Sequence, residues 1–194
     1  NQPSINPASL NSRMNNNLAI NFSNYFSDIK YGTAAYAYTF NNRGNTLHFG
    51  LSYIDYGKFS GYDEQGNSTN DFTGKENAFS IGYSSKVNYL PIYVGLNLRL
   101  ITSSLEQYNS IGISTDIGLL YINSEMNLNI AMVIRNFGTQ LKAYNDIYEK
   151  LPFEIDIGVS QLLENAPLRW YLTFENVQKW NIALSNPSRL TTDL

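Results

Sequence analysis

The chain contains no cysteine, which excludes disulfides and thiolate metal sites. Its single histidine, His48, is too little for a histidine-built zinc centre. Charge is scarce as well. Only 15% of residues are Asp, Glu, Lys or Arg, against about 25% in an ordinary soluble protein. The formal net charge of -3 offers no basic face for nucleic acid. No apolar run approaches the ~20 residues a membrane helix needs, and helical spacing is nowhere sustained. The polar, proline-containing opening from Asn1 to Asn11 has no signal-peptide pattern, so we expect a mature or trimmed chain. Also missing are a Gly-x-Ser-x-Gly elbow, a phosphate loop and a dinucleotide fingerprint. These absences lead us to expect neither an enzyme nor a cofactor.

What the chain does have is aromatic residues and alternation. It contains 15 Tyr, 10 Phe and 2 Trp in 194 residues, a length suited to one domain. Side chains alternate between the faces of a strand, so a period of two marks one apolar and one polar face. The clearest case lies between Pro167 and Asn176: Leu168, Trp170, Leu172 and Phe174 alternate with Arg169, Tyr171, Thr173 and Glu175. Nine strands follow from this pattern, at about 17–26, 32–41, 45–56, 76–86, 90–104, 108–122, 126–136, 153–163 and 167–178. Most reach the ~9–11 residues of a tilted membrane strand.

No Asp, Glu, Lys or Arg interrupts the apolar runs. The longest runs through Leu90, Ile92, Val94, Leu96, Leu98 and Leu100. The opposite faces differ between the two halves. Early strands offer small residues, among them Ala35, Gly50, Ser52, Ala78, Ser80 and Gly82. Later strands offer Arg99, Asp116, Arg135, Glu154, Asp156, Arg169 and Glu175. In a soluble sandwich or barrel the apolar face would line the interior and the other face would meet water. Small residues and mixed charges suit a lumen better, with the aliphatics meeting lipid. The expected fold is therefore all-β: an antiparallel transmembrane β-barrel of the outer membrane. A soluble β protein is the competing reading.

Connection lengths support the same expectation. The turns near Asn41–Gly44, Val87–Tyr89, Asn123–Glu125 and Leu163–Ala166 are short, whereas Gly57–Lys75 and Phe137–Pro152 are long. Outer-membrane barrels pair short periplasmic turns with longer extracellular loops. The connection Ser27–Tyr31 is the exception, short on the long-loop side. A symmetric hairpin turning near Glu106–Asn109 would set Arg99 opposite Asp116, and opposed charges stabilise a strand pair. Arg135, Glu154, Asp156 and Glu175 would extend that pair into a network. Because the signs are mixed, structural filling of a narrow lumen explains it better than ion selectivity. Tyrosines near strand ends, such as Tyr25, Tyr53, Tyr89 and Tyr121, fit interfacial girdles; a stacking platform for sugars or bases is the alternative. His48 reads as a lumen hydrogen-bonder. Glu154 and Asp156 are a carboxylate pair, but the nearby arginines point to salt bridges rather than acid-base work. Asp63-Glu64-Gln65-Gly66-Asn67 lacks the spaced ligands and closing Glu of a calcium loop and reads as a polar turn.

Several stretches carry a family likeness. Tyr53-Ile54-Asp55-Tyr56-Gly57 with Phe59 and Asp63–Asn67, then Ile81–Ser84 and Ser103–Tyr108, resemble the PorQ family of type IX secretion components of Bacteroidetes. The most specific match runs from Val133-Ile134-Arg135-Asn136-Phe137-Gly138 to Lys142, followed by Leu151-Pro152-Phe153. Ala166-Pro167, Asn176–Trp180 and the opening Asn6-Pro7-Ala8 are similar too. The resemblance covers nearly the whole chain. It implies a fourteen-stranded barrel related to long-chain fatty-acid transporters. Nine strands cannot close such a barrel, so a fragment is expected, with residues 1–16 luminal or periplasmic, 17–180 in the strands and 181–194 opening a loop. The implied role is non-enzymatic. It is to anchor a PorZ-like surface protein of the attachment complex that joins secreted proteins to lipopolysaccharide, in contact with outer-membrane lipid. The long loops would make that contact, through Tyr62, Asp63, Glu64, Phe72, Tyr144 and Tyr148. An outer-membrane transporter or porin for hydrophobic or small solutes is the alternative function.

Overall fold

A computed structural model of the chain describes residues 2–26, 28–40, 44–144 and 148–179. The expected loop over 181–194, Trp180, and the turn residues 27, 41–43 and 145–147 lie outside the described residues. The protein is all-β. Nine strands, β1 (Asn17–Asn24), β2 (Lys30–Thr39), β3 (Thr46–Phe59), β4 (Phe72–Lys86), β5 (Ile92–Leu105), β6 (Tyr108–Asn123), β7 (Leu128–Lys142), β8 (Glu154–Leu162) and β9 (Arg169–Phe174), form one sheet in sequence order. Every neighbouring pair is antiparallel. The sheet is open: β1 and β9 are its edges. Among the described residues the only α-helix is the single turn Gln2–Ile5, and no helix is long and apolar enough to cross a membrane.

Burial in this sheet is inverted relative to a water-soluble core. The apolar face is the exposed one: Phe79 is 52% exposed, Ile81 55%, Leu98 48% and Ile117 43%. Buried positions on the other face are mostly polar, with Thr46, His48, Asn97, Ser114 and Asp116 each at 3% or less. We call this second face the inner face. Part of it is covered by the N-terminal segment, in which Ala8 and Leu10 are 1% exposed.

That segment seats on two glycines that face each other across β5 and β6, Gly95 and Gly118. A Cβ on Gly95 would lie 2.2 Å from the Pro7 carbonyl carbon, and one on Gly118 would lie 2.0 Å from Asn6 Oδ1. Only glycine admits backbone this closely. Asn6 Oδ1 also accepts from the Ala8 amide at 2.9 Å, which holds the turn in shape. Farther along, Asn15 Oδ1 accepts from the Thr39 amide at 2.8 Å and ties the segment to β2.

Strand limits depart from the expected ones for one physical reason. Gly57 (φ 75°) and Asn136 (φ 56°) read as strand ends, but both sit in β-bulges, and the strands continue past them. β3 therefore reaches Phe59, β4 starts at Phe72, and β7 reaches Lys142. The two long loops contract accordingly to residues 60–71 and 143–153. The expected four-residue connection near Glu106–Asn109 is a two-residue turn, with Leu105 paired to Tyr108 and Glu106 at φ 55°. β9 is shorter than expected and ends at Phe174.

Candidate functional site: the ionic inner face and the long-loop end

The tight turn at Glu106 moves the β5–β6 register by two residues from the expected pairing. Arg99 stands opposite Ser114, and Asp116 stands opposite Asn97. Arg99 still reaches Asp116 on the diagonal, with Nη2 2.6 Å from Oδ2. Asp116 Oδ2 also accepts from Asn97 Nδ2 at 3.0 Å, while its Oδ1 accepts from the Asn136 backbone amide at 3.0 Å. Arg99 Nη1 donates to Asn136 Oδ1 at 3.3 Å, and Asn136 Nδ2 donates to the Pro152 carbonyl at 3.0 Å. A carboxylate with a side-chain exposure of 2% is thus satisfied on both oxygens, as a buried charge must be.

A second cluster repeats the design. Arg135 pairs with Glu154 at 2.9 Å and with Asp156. Asp156 Oδ1 accepts from the Asn176 backbone amide at 2.9 Å. Both asparagines are left-handed, at φ 56° and φ 54°. In each case two residues of one strand bulge against a single aspartate. Thr115 pairs with Phe137 and Ile117 with Ile134 around Asp116; around Asp156, Ile157 pairs with Phe174 and the Val177 amide reaches the Ile155 carbonyl. The aspartate fills the space the bulge opens and holds the amide that has lost its ladder partner.

The sequence carries this repeat openly. Asp116-Ile117-Gly118 and Asp156-Ile157-Gly158 lie about 40 residues apart, as do Asn136 and Asn176. That recurrence is the signal by which Asn136, Asn176 and Gly118 are recognisable; strand alternation by itself passes over them. Asn97 has no comparable signal.

The other two residues of the expected charge network stand apart. Arg169 Nη1 lies 3.5 Å from Ser160 Oγ, and Glu175 is exposed. Neither forms an ion pair among the described residues. The charges therefore make two compact clusters, on β5–β7 and β7–β8. In the early half, the small residues leave room for His48, whose ring lies over Gly50 and Gly82.

At the long-loop end, residues 60–71 form a built tip. Phe59 and Phe72 stack at 5.3 Å across its base, so Phe72 belongs to the strand pair, and Lys58 pairs with Asp71 at 2.7 Å. Tyr62 bridges to Ser68 and is 66% exposed. Asp63 Oδ2 accepts from Asn67 Nδ2 at 2.9 Å, and Oδ1 accepts from the amides of Asn67 at 2.7 Å and Gln65 at 3.0 Å. These bonds, the Asn67 side chain foremost, hold the Asp63 carboxyl below the usual carboxylate range. Glu64 is exposed beside it.

The second long loop divides its two tyrosines. Tyr148 is 63% exposed, whereas the Tyr144 hydroxyl bonds to Ser103 Oγ. Ser103 lies in the inner-facing row with Glu76 and Ser110, so Tyr144 folds in over the inner face. Of the six expected contact residues, Tyr62, Glu64 and Tyr148 are exposed, whereas the Asp63 carboxylate is spent on holding the tip.

The fold and these sites define a class: an open antiparallel sheet with an apolar outside and an ionic, partly covered inside. Among the described residues no group of three or more His, Asp or Glu is placed to hold a metal. No protein-family model, no curated protein and no solved structure matches the chain.

Proposed function

We propose that this sheet is the wall of an outer-membrane β-barrel whose long-loop end anchors a partner at the cell surface. One observation carries the membrane part: the residues that water should bury are outside, and the ion pairs are inside. A soluble monomer rarely exposes a contiguous apolar patch of more than a few hundred Å². Here the exposed face runs across Phe79, Ile81, Leu96, Leu98, Leu100, Ile113 and Ile117. In lipid it has its solvent, and closure would satisfy the two open edges, as lipid requires. In the fourteen-stranded barrel of the resembling family, nine strands of this kind would form part of the wall.

Strand length and outward chemistry agree. β3 to β7 have 14, 15, 14, 16 and 15 residues, more than the ~9–11 that span a bilayer. The surplus lies toward the long-loop end, where the outer face turns polar along the paired row Asp55, Lys75, Ser104 and Asn109. These strands would therefore stand clear of the lipid and present the tip at residues 60–71 to the exterior.

The anchoring role rests on the likeness to PorQ and its PorZ-like partner in the type IX attachment complex. Coverage of the inner face of β4–β6 by residues 6–10 weighs against an open pore. Replacing residues 60–71 by a two-residue turn, in a strain retaining the attachment complex, is expected to release the PorZ-like protein from the surface. Exchanging Tyr148→Ala should weaken its retention. Undiminished retention in both variants, with heat-modifiable barrel mobility intact, would remove the anchoring assignment.

A further inference from the structure

β7 outruns the strand after it. β8 pairs with β7 only from Leu128 to Arg135, whereas β6 stays paired with it as far as Lys142. From Phe137 to Lys142, one edge of β7 therefore has no strand beside it. Among the described residues, no backbone group of that stretch bonds to another backbone group on this side. The free edge is roughly 20 Å long, at about 3.4 Å per residue.

Two features stop β8 at Glu154. Pro152 has no amide to donate to β7, and the left-handed Asn136 sends its own Nδ2 to the Pro152 carbonyl at 3.0 Å. The loop then runs beside β7 without zipping onto it. Its second tether is again a side chain of β7, since Gln140 Oε1 accepts from the Glu149 amide at 2.7 Å. Between loop and edge lies a groove of about 510 Å³, lined by Phe137, Thr139, Tyr148, Leu151 and Phe153 among others. Phe137 and Tyr148 are 65% and 63% exposed.

A row of free backbone donors and acceptors is a template for another strand. Lipid does not suit it, because hydrocarbon leaves backbone groups unsatisfied, and Glu149 and Lys150 also line the groove. Closure into a barrel would cover β1 and β9 but not this step within the sheet. We propose that an extended segment of the surface partner adds to β7 along Phe137–Lys142. Its backbone bonds the free edge, and its apolar side chains pack on Phe137, Tyr148 and Phe153. Main-chain bonds give such strand additions their affinity, and the side-chain contacts give them their selectivity. The site rests on the anchoring reading and makes it specific: beside Tyr148 the contact is backbone pairing.

Amide hydrogen exchange of the detergent-solubilised full chain, alone and with the purified PorZ-like protein, tests it. Amides of residues 137–142 that point away from β6 should exchange freely in the chain alone and at least tenfold more slowly in the complex. Proline substitution adds a second measurement. Gly138, Thr139 and Gln140 pair regularly with Ser114, Ile113 and Gly112, so successive amides alternate between the two edges. Proline at one of positions 139 and 140 therefore removes an outward amide and spares the β6 ladder. Of Thr139→Pro and Gln140→Pro, the variant that keeps heat-modifiable mobility should bind the PorZ-like protein at least tenfold more weakly than alanine at the same position. Where neither proline variant folds, the exchange result decides. A complex in which residues 137–142 exchange as fast as in the free chain would overturn strand addition and leave the anchoring reading standing. So would a folded proline variant that binds as tightly as its alanine counterpart. Slow exchange of these amides in the chain alone would show the edge already taken by its own loop and overturn the site too. Absence of any complex would overturn both readings.

Discussion

Replacing Asp116 with alanine should be among the most damaging single changes in the sheet, and clearly worse than the same change at Asp156. Both aspartates fill a bulge and face an arginine, but their surroundings differ. Asp116 and Arg99 have side-chain exposures of 2% and 20%, and Asp116 is the acid paired with Arg99. Its loss strands a half-buried guanidinium, the Asn97 amide and the Asn136 backbone amide together. Removing one partner of a buried ion pair costs about 3–5 kcal/mol. Asp156 is less buried, at 11%, and Arg135 keeps Glu154 at 2.9 Å when Asp156 is gone. That loss also strands the Asn176 amide but leaves no orphan charge, and is closer to one charge-assisted hydrogen bond, about 1.5–3 kcal/mol. The assay is urea unfolding of the folded chain in lipid vesicles, followed by tryptophan fluorescence, with the denaturant slope held common to all variants. The double variant Arg99→Met with Asp116→Leu should regain much of the loss, because no orphan charge remains. Equal destabilisation by the two alanine variants, or a double variant no more stable than Asp116→Ala, would refute the reasoning.

Other consequences follow at separate places. Leu98→Arg on the outer face should destabilise the chain in a bilayer by about 2–4 kcal/mol if that face meets lipid at mid-depth; a neutral effect in vesicles would argue for water there. Gly118→Val should displace residues 6–10 from the inner face, since even the first carbon would meet Asn6 Oδ1 at 2.0 Å; proteolysis within the N-terminal segment should accelerate, and unchanged protection would contradict the seat. The order at Asp63 should depend on acid. Its carboxyl is depressed in the folded tip, so its contribution is complete above the unfolded value of about 3.9 and is lost as pH falls through the lower folded value. Amide chemical shifts of Gln65 and Asn67 should move together in that acid range, and a transition centred above pH 4 would contradict the assignment.

The strands and their faces were legible because alternation is a property of neighbouring residues. Leu96, Leu98 and Leu100 fall on one side whatever the rest of the sheet does. Register was not so local. Arg99 and Asp116 do pair, but diagonally, because a two-residue turn is possible when Glu106 adopts a left-handed backbone. A glutamate gives no warning of that conformation. At Gly57 and at Asn136 the local signal is ambiguous. Glycine and asparagine mark any positive φ, whether a turn or a bulge, and the choice is made by the opposing strand. Asp116 makes it at Asn136, by accepting the amide that the bulge frees. The same logic applies to Tyr144: loop position points to the exterior, while Ser103 on β5 draws its hydroxyl inward.

The recurrence of the aspartate-filled bulge makes the width of this sheet an adjustable quantity. Joining Thr115 directly to Asp156 would excise one strand pair and bring the second bulge onto the partners of the first, with Gln178 falling where Gly138 now packs against Ile113. Asp156 would face Asn97 and Arg99, Gly158 would take the position of Gly118 beneath the N-terminal turn, and Asn176 would supply the amide that Asn136 supplies now. Glu175 would stand where Arg135 stands, Arg169 where Asn129 stands and Lys179 where Thr139 stands, so the charges do not all carry over. The sheet thus carries one aspartate-and-bulge design at two successive seams, so a change of width by a whole hairpin would keep the aspartate contacts and ask only for new residues around them.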